Sequence, residues 1–269
     1  MSDRPIGVFD SGLGGLTVLK EIVKILPNEN IVYFGDTARV PYGPRSKETV
    51  TKYTFQAINF LRTKNVKAIV IACNTATARA LEEAQDKYDI PILGVIEAGA
   101  RTAVYSTKNK VVGIIGTEGT ISSNAYNLEI GKLDKSIKIV SKACPLFVPI
   151  VEEGWSNTDV ARLTAKRYLE ELKDEGIDSL VLGCTHYPIL KRTIGEEVGE
   201  AIKLVNPAKE TAEDLKKVLE KSNIINDNNS VSAKYEYYVS DIHEKFSSIA
   251  KEFLKKDIEE IQKIEIQKY

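Results

Sequence analysis

The chain has 269 residues, enough for one large domain or for two modest domains with a hydrophobic core each. Hydrophobic residues make up 43% of it and charged residues 28%, the balance of an ordinary soluble globular protein. Its 37 basic and 38 acidic residues give a formal net charge of −1. Because no basic excess is present to attract phosphates, we expect no nucleic-acid partner.

The N-terminus and the sparse cysteines indicate a cytoplasmic protein. No basic segment with a long apolar stretch precedes the first predicted strand, so we expect no signal peptide, and no apolar run approaches the ~18 residues of a membrane span. Three cysteines argue against a disulfide framework, and two histidines without C-x-x-C or H-x-x-x-H spacing predict no metal site. Any cysteine with a role is therefore expected to act as a thiol.

Short apolar runs alternate with longer helix-like stretches along the chain. The runs, mostly unbroken β-branched and aliphatic segments, are residues 6–9, 31–34, 68–72, 92–95, 111–115, 138–140, 180–182 and 203–205. Unbroken runs are typical of strands buried on both faces of a parallel sheet. The helix-like stretches include residues 16–26, 47–64, 77–88, 159–175 and 209–221. This βαβα order predicts an α/β fold of doubly wound, mostly parallel sheets.

The two halves of the chain repeat the same succession of features. The run that ends before Asp10 is echoed by the run that ends before Gly116. The run that ends before Cys73 is echoed by the run that ends before Cys184, again at an offset of about 110 residues. Any two α/β units look alike to some degree, but here both cysteines fall at the same place in their units. We therefore interpret the repeat as two related, pseudo-symmetric domains.

The last quarter of the chain continues beyond the second unit. Its pattern predicts a helix at residues 209–221, a polar loop at 223–232, an alternating strand at 235–240 and a helix at 242–254. These elements could complete either half, and we assign them to the first unit. The prediction is a discontinuous first domain of residues 1–97 and 208–269 around a second domain of residues 98–207.

A glycine-rich segment, Asp10-Ser11-Gly12-Leu13-Gly14-Gly15, follows the first predicted strand and opens a helix. Open parallel sheets bind ligands beyond the carboxyl ends of their strands, and a helix N-terminus offers free N–H groups to an anion. The segment lacks the G-x-G-x-x-G order of dinucleotide-binding loops and the G-K-[S/T] ending of a P-loop. A tight turn explains the glycines but not the acid at Asp10, so we expect this loop to belong to a site.

Cys73 and Cys184 both follow buried strands, and polar residues come after each. A lone buried cysteine is more often a small hydrophobic residue than a reactive one, but that explanation has to hold twice here. A helix N-terminus stabilises a thiolate, and His186 lies two residues after Cys184, where it could assist that thiol. Cys144 has no polar company and is predicted to be structural, and His243, in a polar helix, is predicted to lie at the surface.

Two further loops hold candidate residues. Tyr42 and Gly43 lie in the loop after the second strand, where a turn is the simple explanation but a tyrosine would overhang the site. Glu152 leaves the hydrophobic segment 148–151. Paired acids before a glycine are often a solvated turn, yet this carboxylate could also face a cleft.

Two facing thiols suit one class of reaction better than others. Thiol–disulfide enzymes usually hold both cysteines in a C-x-x-C turn, and a cysteine hydrolase needs one nucleophile with a histidine base, which leaves a second cysteine idle. Inverting a carbon stereocentre needs a base on one face and an acid on the other. One deprotonated and one protonated thiol meet that demand and exchange roles in the reverse direction.

Four motifs together resemble those of glutamate racemases, members of the cofactor-independent aspartate/glutamate racemase superfamily, in order and spacing over nearly the whole chain. They are Asp10-Ser11-Gly12-x-Gly14-Gly15, Pro41-Tyr42-Gly43, Cys73-Asn74-Thr75-Ala76 and Gly183-Cys184-Thr185-His186-Tyr187-Pro188. The resemblance implies two pseudo-symmetric domains with the active site in the cleft between them. It also implies interconversion of L- and D-glutamate without a cofactor, a supply of D-glutamate for peptidoglycan synthesis, and a homodimer.

The resemblance implies a role for each residue of the site. Cys73 is expected to remove the α-proton of D-glutamate, and Cys184 that of L-glutamate. The family's proton-handling helpers match Asp10, His186 and Glu152. Its substrate-binding positions match Asp10, Ser11, Tyr42, Gly43, Asn74, Thr75, Thr185 and His186.

Racemisation without a cofactor places a heavy demand on the thiols. No lysine motif suggests pyridoxal phosphate, so preorganised charge and the exclusion of water must replace an electron sink. An ordinary cysteine has a pKa near ~8.5, and lowering it to about 7 requires roughly 2 kcal/mol. A carboxylate beside the thiol opposes that lowering in the resting state.

The sequence leaves two alternative functions open. The first is a sister racemase that acts on aspartate or another amino acid, since the sequence has no measure of pocket size. The second is a non-catalytic protein that uses the cleft to bind a small anion, or a partner such as a topoisomerase. Two cysteines at matching strand ends are hard to explain under this second hypothesis.

Overall fold

The structure of the protein, a computed structural model, describes residues 2–228, 232–242, 250–251, 253–254, 258 and 260–269. Its strands are β1 (Ile6–Asp10), β2 (Ile31–Gly35), β3 (Ala68–Ile71), β4 (Ile92–Gly94), β5 (Val111–Gly116), β6 (Lys138–Ala143), β7 (Ser179–Gly183), β8 (Lys203–Val205), β9 (Tyr235–Val239) and β10 (Gln262–Lys263). Its helices are α1 (Leu16–Ile25), α2 (Lys47–Thr63), α3 (Asn74–Lys87), α4 (Ile96–Ser106), α5 (Glu118–Ser122), α6 (Ala125–Leu133), α7 (Phe147–Glu152), α8 (Asp159–Asp174), α9 (Lys191–Val198) and α10 (Pro207–Lys221). Short 3-10 turns lie at Tyr187–Leu190 and Ile266–Lys268.

The strands form two parallel sheets, which confirms the predicted α/β fold with two pseudo-symmetric halves. The first sheet has the order β10-β9-β2-β1-β3-β4 and the second the order β6-β5-β7-β8. Each half thus places its four consecutive strands in the same order, second, first, third, fourth. β3 and β7 occupy equivalent places, so Cys73 and Cys184 leave equivalent strand ends. The strands β9 and β10 extend the first sheet, while the domain boundaries at 97/98 and 207/208 stay a prediction.

The strands form where apolar runs can be buried on both faces. Every residue of β1, β2, β3 and β7 is buried, as expected for central parallel strands. Helices begin at polar caps: the hydroxyls of Ser46, Thr117 and Thr158 each accept a hydrogen bond from the N–H three residues further on. These caps satisfy backbone donors that the first helical turn leaves unpaired.

The two halves share a hydrophobic core. The largest cluster of buried side chains contains Ile6 and Val8 from β1 together with Leu180 and Leu182 from β7. Removal of this apolar surface from water favours packing of the halves against each other, which brings the carboxyl ends of both sheets into proximity.

Several elements differ from the sequence-based prediction. The third helix begins at Asn74 rather than at residue 77, because the Cys73 side chain caps it. The sequence pattern does not predict α4–α7, α9 or β10, most of which are short or rich in small residues. The surface position predicted for His243, and most of the helix predicted at residues 242–254, lie outside the described residues. None of the helices in the described ranges is long and apolar enough to cross a membrane.

Candidate active site

A small cavity of about 20 Å³ lies where the carboxyl ends of the two sheets meet. The predicted site residues that line it are Ser11, Tyr42, Gly43, Cys73, Asn74, Thr75, Cys184, Thr185 and His186. The other two predicted residues lie one contact away. Thr185 Oγ1 donates to Asp10 Oδ1 at 3.4 Å, and His186 Nε2 lies 3.2 Å from Glu152 Oε1. The fold therefore brings together all the residues that the motifs singled out.

The glycine-rich loop after β1 lets the halves approach closely. A Cβ atom at Gly14 would clash with Thr185 Oγ1 and would lie 2.6 Å from His186 Nδ1. The hydroxyl of Thr17, in the first turn of α1, donates to the backbone oxygen of Thr185 at 3.1 Å. Gly14 is thus required by contact with the other half of the molecule, and the loop is more than a strand-to-helix turn.

Asp10 ends β1 and is fully buried. Burial raises the pKa of its carboxyl above the usual value, while the charge of His186 and hydrogen bonds from Gly15, Gly12 and Thr185 oppose that rise. The Gly12 N–H donates to Asp10 Oδ2 at 3.0 Å. The net effect moves this carboxyl toward the range in which it can exchange a proton.

Cys73 follows β3 and caps α3, where its Sγ accepts a hydrogen bond from Ala76 N at 3.4 Å. Burial raises the pKa of the thiol to about 12, and the charge of Asp10 adds to this effect. Hydrogen bonds from Ser11 and Ala76 act in the opposite direction but are outweighed. Cys73 is therefore a protonated thiol at neutral pH, able to donate a proton.

Cys184 lies beside a charged histidine instead. Its Sγ is 3.9 Å from His186 Nδ1, and the other ring nitrogen faces Glu152. Burial alone lowers the pKa of His186, but its contacts with Cys184 and Glu152 outweigh burial and raise the pKa to about 10. The ring also packs edge-on against Phe253, with centroids 5.8 Å apart. Cys184 therefore lies next to a positively charged ring.

Three polar residues near the cavity were not predicted as site residues: Thr117, Thr120 and Asp36. Thr117 lines the cavity, and its hydroxyl shares hydrogen bonds with Thr75 at 2.8 Å and Thr120 at 3.1 Å. The carboxylate of Asp36 accepts from the Tyr42 hydroxyl at 2.5 Å. The internal repeat held the signal for Thr117, because this residue follows the end of β5 as Ser11 follows the end of β1. Asp36 follows β2, but the sequence alone has no sign of its bond to Tyr42.

The third cysteine takes no part in this arrangement. Cys144 is buried, its thiol lies 3.7 Å from the backbone oxygen of Lys142, and its own carbonyl accepts from the Tyr187 hydroxyl. All three cysteines are free thiols. In the part of the chain that the structure describes, no three His, Cys, Asp or Glu side chains are grouped as metal ligands would be.

The geometry therefore brings two thiols with different surroundings to one cavity. Cys73 is a neutral thiol and Cys184 lies beside an imidazolium, and the charge of Cys184 adds to the rise in the pKa of Cys73. Such an arrangement suits proton transfer at a carbon atom with inversion.

Comparison with known proteins places these features in one family. Residues 6–215 match the sequence model of the Asp/Glu/Hydantoin racemase family. The glutamate racemase of Geobacter metallireducens is 51% identical over 251 residues, 93% of each chain, and glutamate racemase 2 of Caldanaerobacter subterraneus subsp. tengcongensis is 46% identical over the full length of both. The crystal structure of glutamate racemase from Francisella tularensis in complex with D-glutamate superimposes with a TM-score of 0.94, at 41% identity over all of both chains.

Proposed function

The chain belongs to the Asp/Glu/Hydantoin racemase family, and from this premise we propose that it is a glutamate racemase that works through two thiols. The observation that carries the proposal is the cavity that Cys73 and Cys184 share. The sulfur of Cys73 accepts a hydrogen bond from the Ala76 N–H, whereas the sulfur of Cys184 faces His186 Nδ1. The similar structure that contains D-glutamate supports glutamate as the substrate.

In the direction from L- to D-glutamate, Cys184 acts as the base. Its thiolate, stabilised by the His186 imidazolium, takes the α-proton, and the C–H electron pair remains on Cα. The Cys73 thiol then donates its proton to the opposite face of Cα. The product is D-glutamate, with Cys184 as thiol and Cys73 as thiolate, and this is the starting state for the reverse reaction.

The helpers return the site to its first state. Glu152 holds the imidazolium in place. Asp10 accepts a hydrogen bond from Thr185, its charge raises the pKa of Cys73, and burial raises the pKa of its own carboxyl. We assign to these groups the transfer of protons as each thiol changes its role. Substrate binding is assigned to the hydroxyls, amide and backbone groups of Ser11, Tyr42, Gly43, Asn74, Thr75 and Thr185.

The biological role follows from the product. We propose that D-glutamate made by this enzyme supplies peptidoglycan synthesis, that the enzyme acts in the cytoplasm, and that it forms a homodimer. A reducing compartment keeps both catalytic sulfurs as thiols. Sedimentation with and without glutamate measures the oligomeric state, and a monomer under both conditions would contradict the dimer.

Incubation of L-glutamate in D₂O tests the two-base scheme directly. D-glutamate is expected to carry deuterium at Cα from the first turnovers, because the donating thiol exchanges with solvent, while the remaining L-glutamate keeps its protium. Mass spectrometry of the two enantiomers after separation measures both. D-glutamate that retains protium in a single turnover would exclude proton donation from a second, solvent-exchanged thiol.

Cysteine variants test the assignment of the two sulfurs. Cys73→Ala and Cys184→Ala are expected to lower kcat by roughly 10²–10⁴-fold or more, since each removes an acid or base in both directions. Cys144→Ala is the matched control: it removes an equally buried thiol outside the cavity and should keep its activity. Normal turnover by either Cys73→Ala or Cys184→Ala would contradict the mechanism.

Substrate range separates this proposal from the other hypotheses. Circular dichroism with a panel of amino-acid enantiomers reports loss of optical activity, and glutamate is expected to be the fastest substrate. Faster turnover of aspartate would indicate a sister racemase. Thermal stabilisation by glutamate without any change in optical activity would instead indicate a binding protein.

A further inference from the structure

The side chain of Tyr126 lies between the two sequence motifs that contain Cys73 and Cys184. Tyr126 belongs to α6 in the second half of the chain and is only 2% exposed. Its hydroxyl lies 2.8 Å from Asn74 Oδ1, on the residue after Cys73. Its ring lies against Gly183, the residue before Cys184, since a Cβ atom there would be 3.2 Å from Tyr126 Cε2. One side chain therefore contacts both sequence motifs that carry the thiols.

The hydrogen bond to Asn74 has a defined direction. Asn74 Oδ1 is the one partner of the Tyr126 hydroxyl among the residues that the structure describes. If this hydroxyl only accepted a hydrogen bond, its own hydrogen would be buried without an acceptor, which is unfavourable. Burial, together with the charge of Cys184, raises the pKa of Tyr126 above its usual value. The hydroxyl therefore stays protonated and donates to Oδ1.

This bond determines how the Asn74 amide can serve the cavity. A carboxamide accepts at its oxygen and donates at its nitrogen, and the two atoms point in different directions. Because Oδ1 is engaged by Tyr126, the two Nδ2 hydrogens are the part of the amide left for the cavity that Asn74 lines with Cys73 and Cys184. N–H donors in such a place match a carboxylate.

We propose that Tyr126 is a positioning residue, which holds the Asn74 amide with its N–H donors toward the cavity so that they bind a carboxylate of the amino-acid substrate. The proposal rests on the racemase function proposed above and adds to it a residue that does not line the cavity. The backbone of Asn74 is already held as the first residue of α3, so only its side-chain torsions need this restraint. Without it, the amide rotates and the donors point into the cavity for part of the time.

Tyr126→Phe removes one oxygen atom and leaves the ring in place. We expect KM to rise about 10-fold for both L- and D-glutamate, with kcat changed less than about 3-fold, because binding loses an oriented donor while the thiols are untouched. The ratio kcat/KM falls equally in the two directions, since the equilibrium constant of racemisation is one. Stabilisation of the protein by D-glutamate in thermal unfolding should weaken in parallel.

Tyr88→Phe is the matched control. The Tyr88 hydroxyl also donates to an asparagine oxygen, Asn59 Oδ1, at 2.9 Å, and Tyr88 is also buried, but neither residue lines the cavity. A similar loss of melting temperature with KM changed less than about 2-fold is expected. If Tyr126→Phe and Tyr88→Phe have the same kinetics and the same response to D-glutamate, Tyr126 is only structural and the proposal is overturned.

A double-mutant cycle tests whether Tyr126 acts through Asn74. In an Asn74→Ala background, Tyr126→Phe should change KM by less than about 2-fold, because no amide remains to be held. A further 10-fold rise would mean that Tyr126 acts through its packing against Gly183, and would overturn the proposal. Wild-type protein that does not racemise glutamate refutes the proposed function instead. In that case unchanged thermal stabilisation of Tyr126→Phe by D-glutamate refutes the positioning role separately.

Discussion

At the scale of single residues, burial and neighbouring charge set the protonation states in the cavity. Burial raises the pKa of Cys73 to about 12, so this sulfur keeps its proton across the physiological range. His186 has a pKa raised to about 10 despite its burial, because Cys184 and Glu152 both favour the charged ring. The two thiols thus have different neighbours although the strand ends that carry them are equivalent.

The pKa of His186 leads to a prediction about pH. Since the folded-state pKa is raised above the ordinary value of 6.5, the imidazolium stabilises the fold fully below about 6.5 and this contribution is lost as pH rises through about 10. Activity that depends on the charged ring should fall over the same alkaline range. Glu152→Gln removes one of the groups that raise this pKa, so the alkaline limb of the kcat profile should move to lower pH by up to about one unit.

The control for this pH profile is an exposed carboxylate. Glu171→Gln removes the partner of Lys142 on the surface, where the Glu171 side chain is 64% exposed, and should leave the profile unchanged. An alkaline limb that stays in place in Glu152→Gln would mean that Glu152 does not act on His186.

At the scale of elements, a buried ion pair anchors the first sheet. Lys67, just before β3, and Glu29, just before β2, lie 2.6 Å apart with side chains no more than 1% exposed. Lys67 Nζ also donates to the backbone oxygens of Ser2 and Ile224, and Glu29 Oε1 accepts from Asn226 N at 2.8 Å. Burial lowers the pKa of Lys67 and raises that of Glu29, and the contact between the two side chains opposes both shifts. The pair joins the N-terminal segment, two strand starts and the segment after α10.

Removal of one partner of this ion pair should be costly. Lys67→Met leaves the Glu29 carboxylate buried without its counter-charge, so the free energy of unfolding should fall by about 3–5 kcal/mol. Lys47→Met is the matched control, because Lys47 pairs with Glu83 at 3.1 Å with both side chains about half exposed. It should cost less than about 1 kcal/mol. Urea unfolding measures the free energy of unfolding of both variants. Equal losses would show that the buried ion pair stabilises the fold no more than the exposed one.

At the scale of the whole molecule, the contact between the halves determines the site. The cavity of about 20 Å³ has the space of roughly one water molecule, so an amino acid enters only when its walls move apart. We expect motion of one half against the other, across the contacts of Gly14 and Tyr126, to provide such an opening. Closure would then exclude water from the thiols and strengthen the interactions of the charges around them.

Gly14→Ala tests the importance of this close contact. The added methyl group meets Thr185 and His186, so we expect a loss of about 1–3 kcal/mol in stability and a fall in kcat/KM of about 10²-fold as the histidine is displaced. Gly131→Ala is the control, since a Cβ atom at this position of α6 meets nothing within 4 Å. It should keep full activity and gain up to about 1 kcal/mol from helix propensity. Equal activities of the two variants would contradict a tight fit at Gly14.

The sequence by itself determined the class of fold and the location of the site. Unbroken apolar runs predicted strands buried on both faces, and the repeat predicted that Cys73 and Cys184 leave equivalent strands. The strand pattern and the repeat depend on residues that are close together along the chain, so the periodicity and spacing of the sequence are sufficient to predict them. The roles of the motif residues stay predictions for the experiments above.

The tertiary structure alone decided how the residues of the two halves act on one another. The raised pKa of Cys73, the bond of Asp36 to Tyr42 and the contact of Tyr126 with Asn74 depend on burial and on partners distant in sequence. A turn accounts for Gly14 in the sequence, but contact with Thr185 and His186 of the other half is what requires a glycine there. Burial and long-range contact arise only when the two sheets pack together, and no local pattern in the chain specifies them.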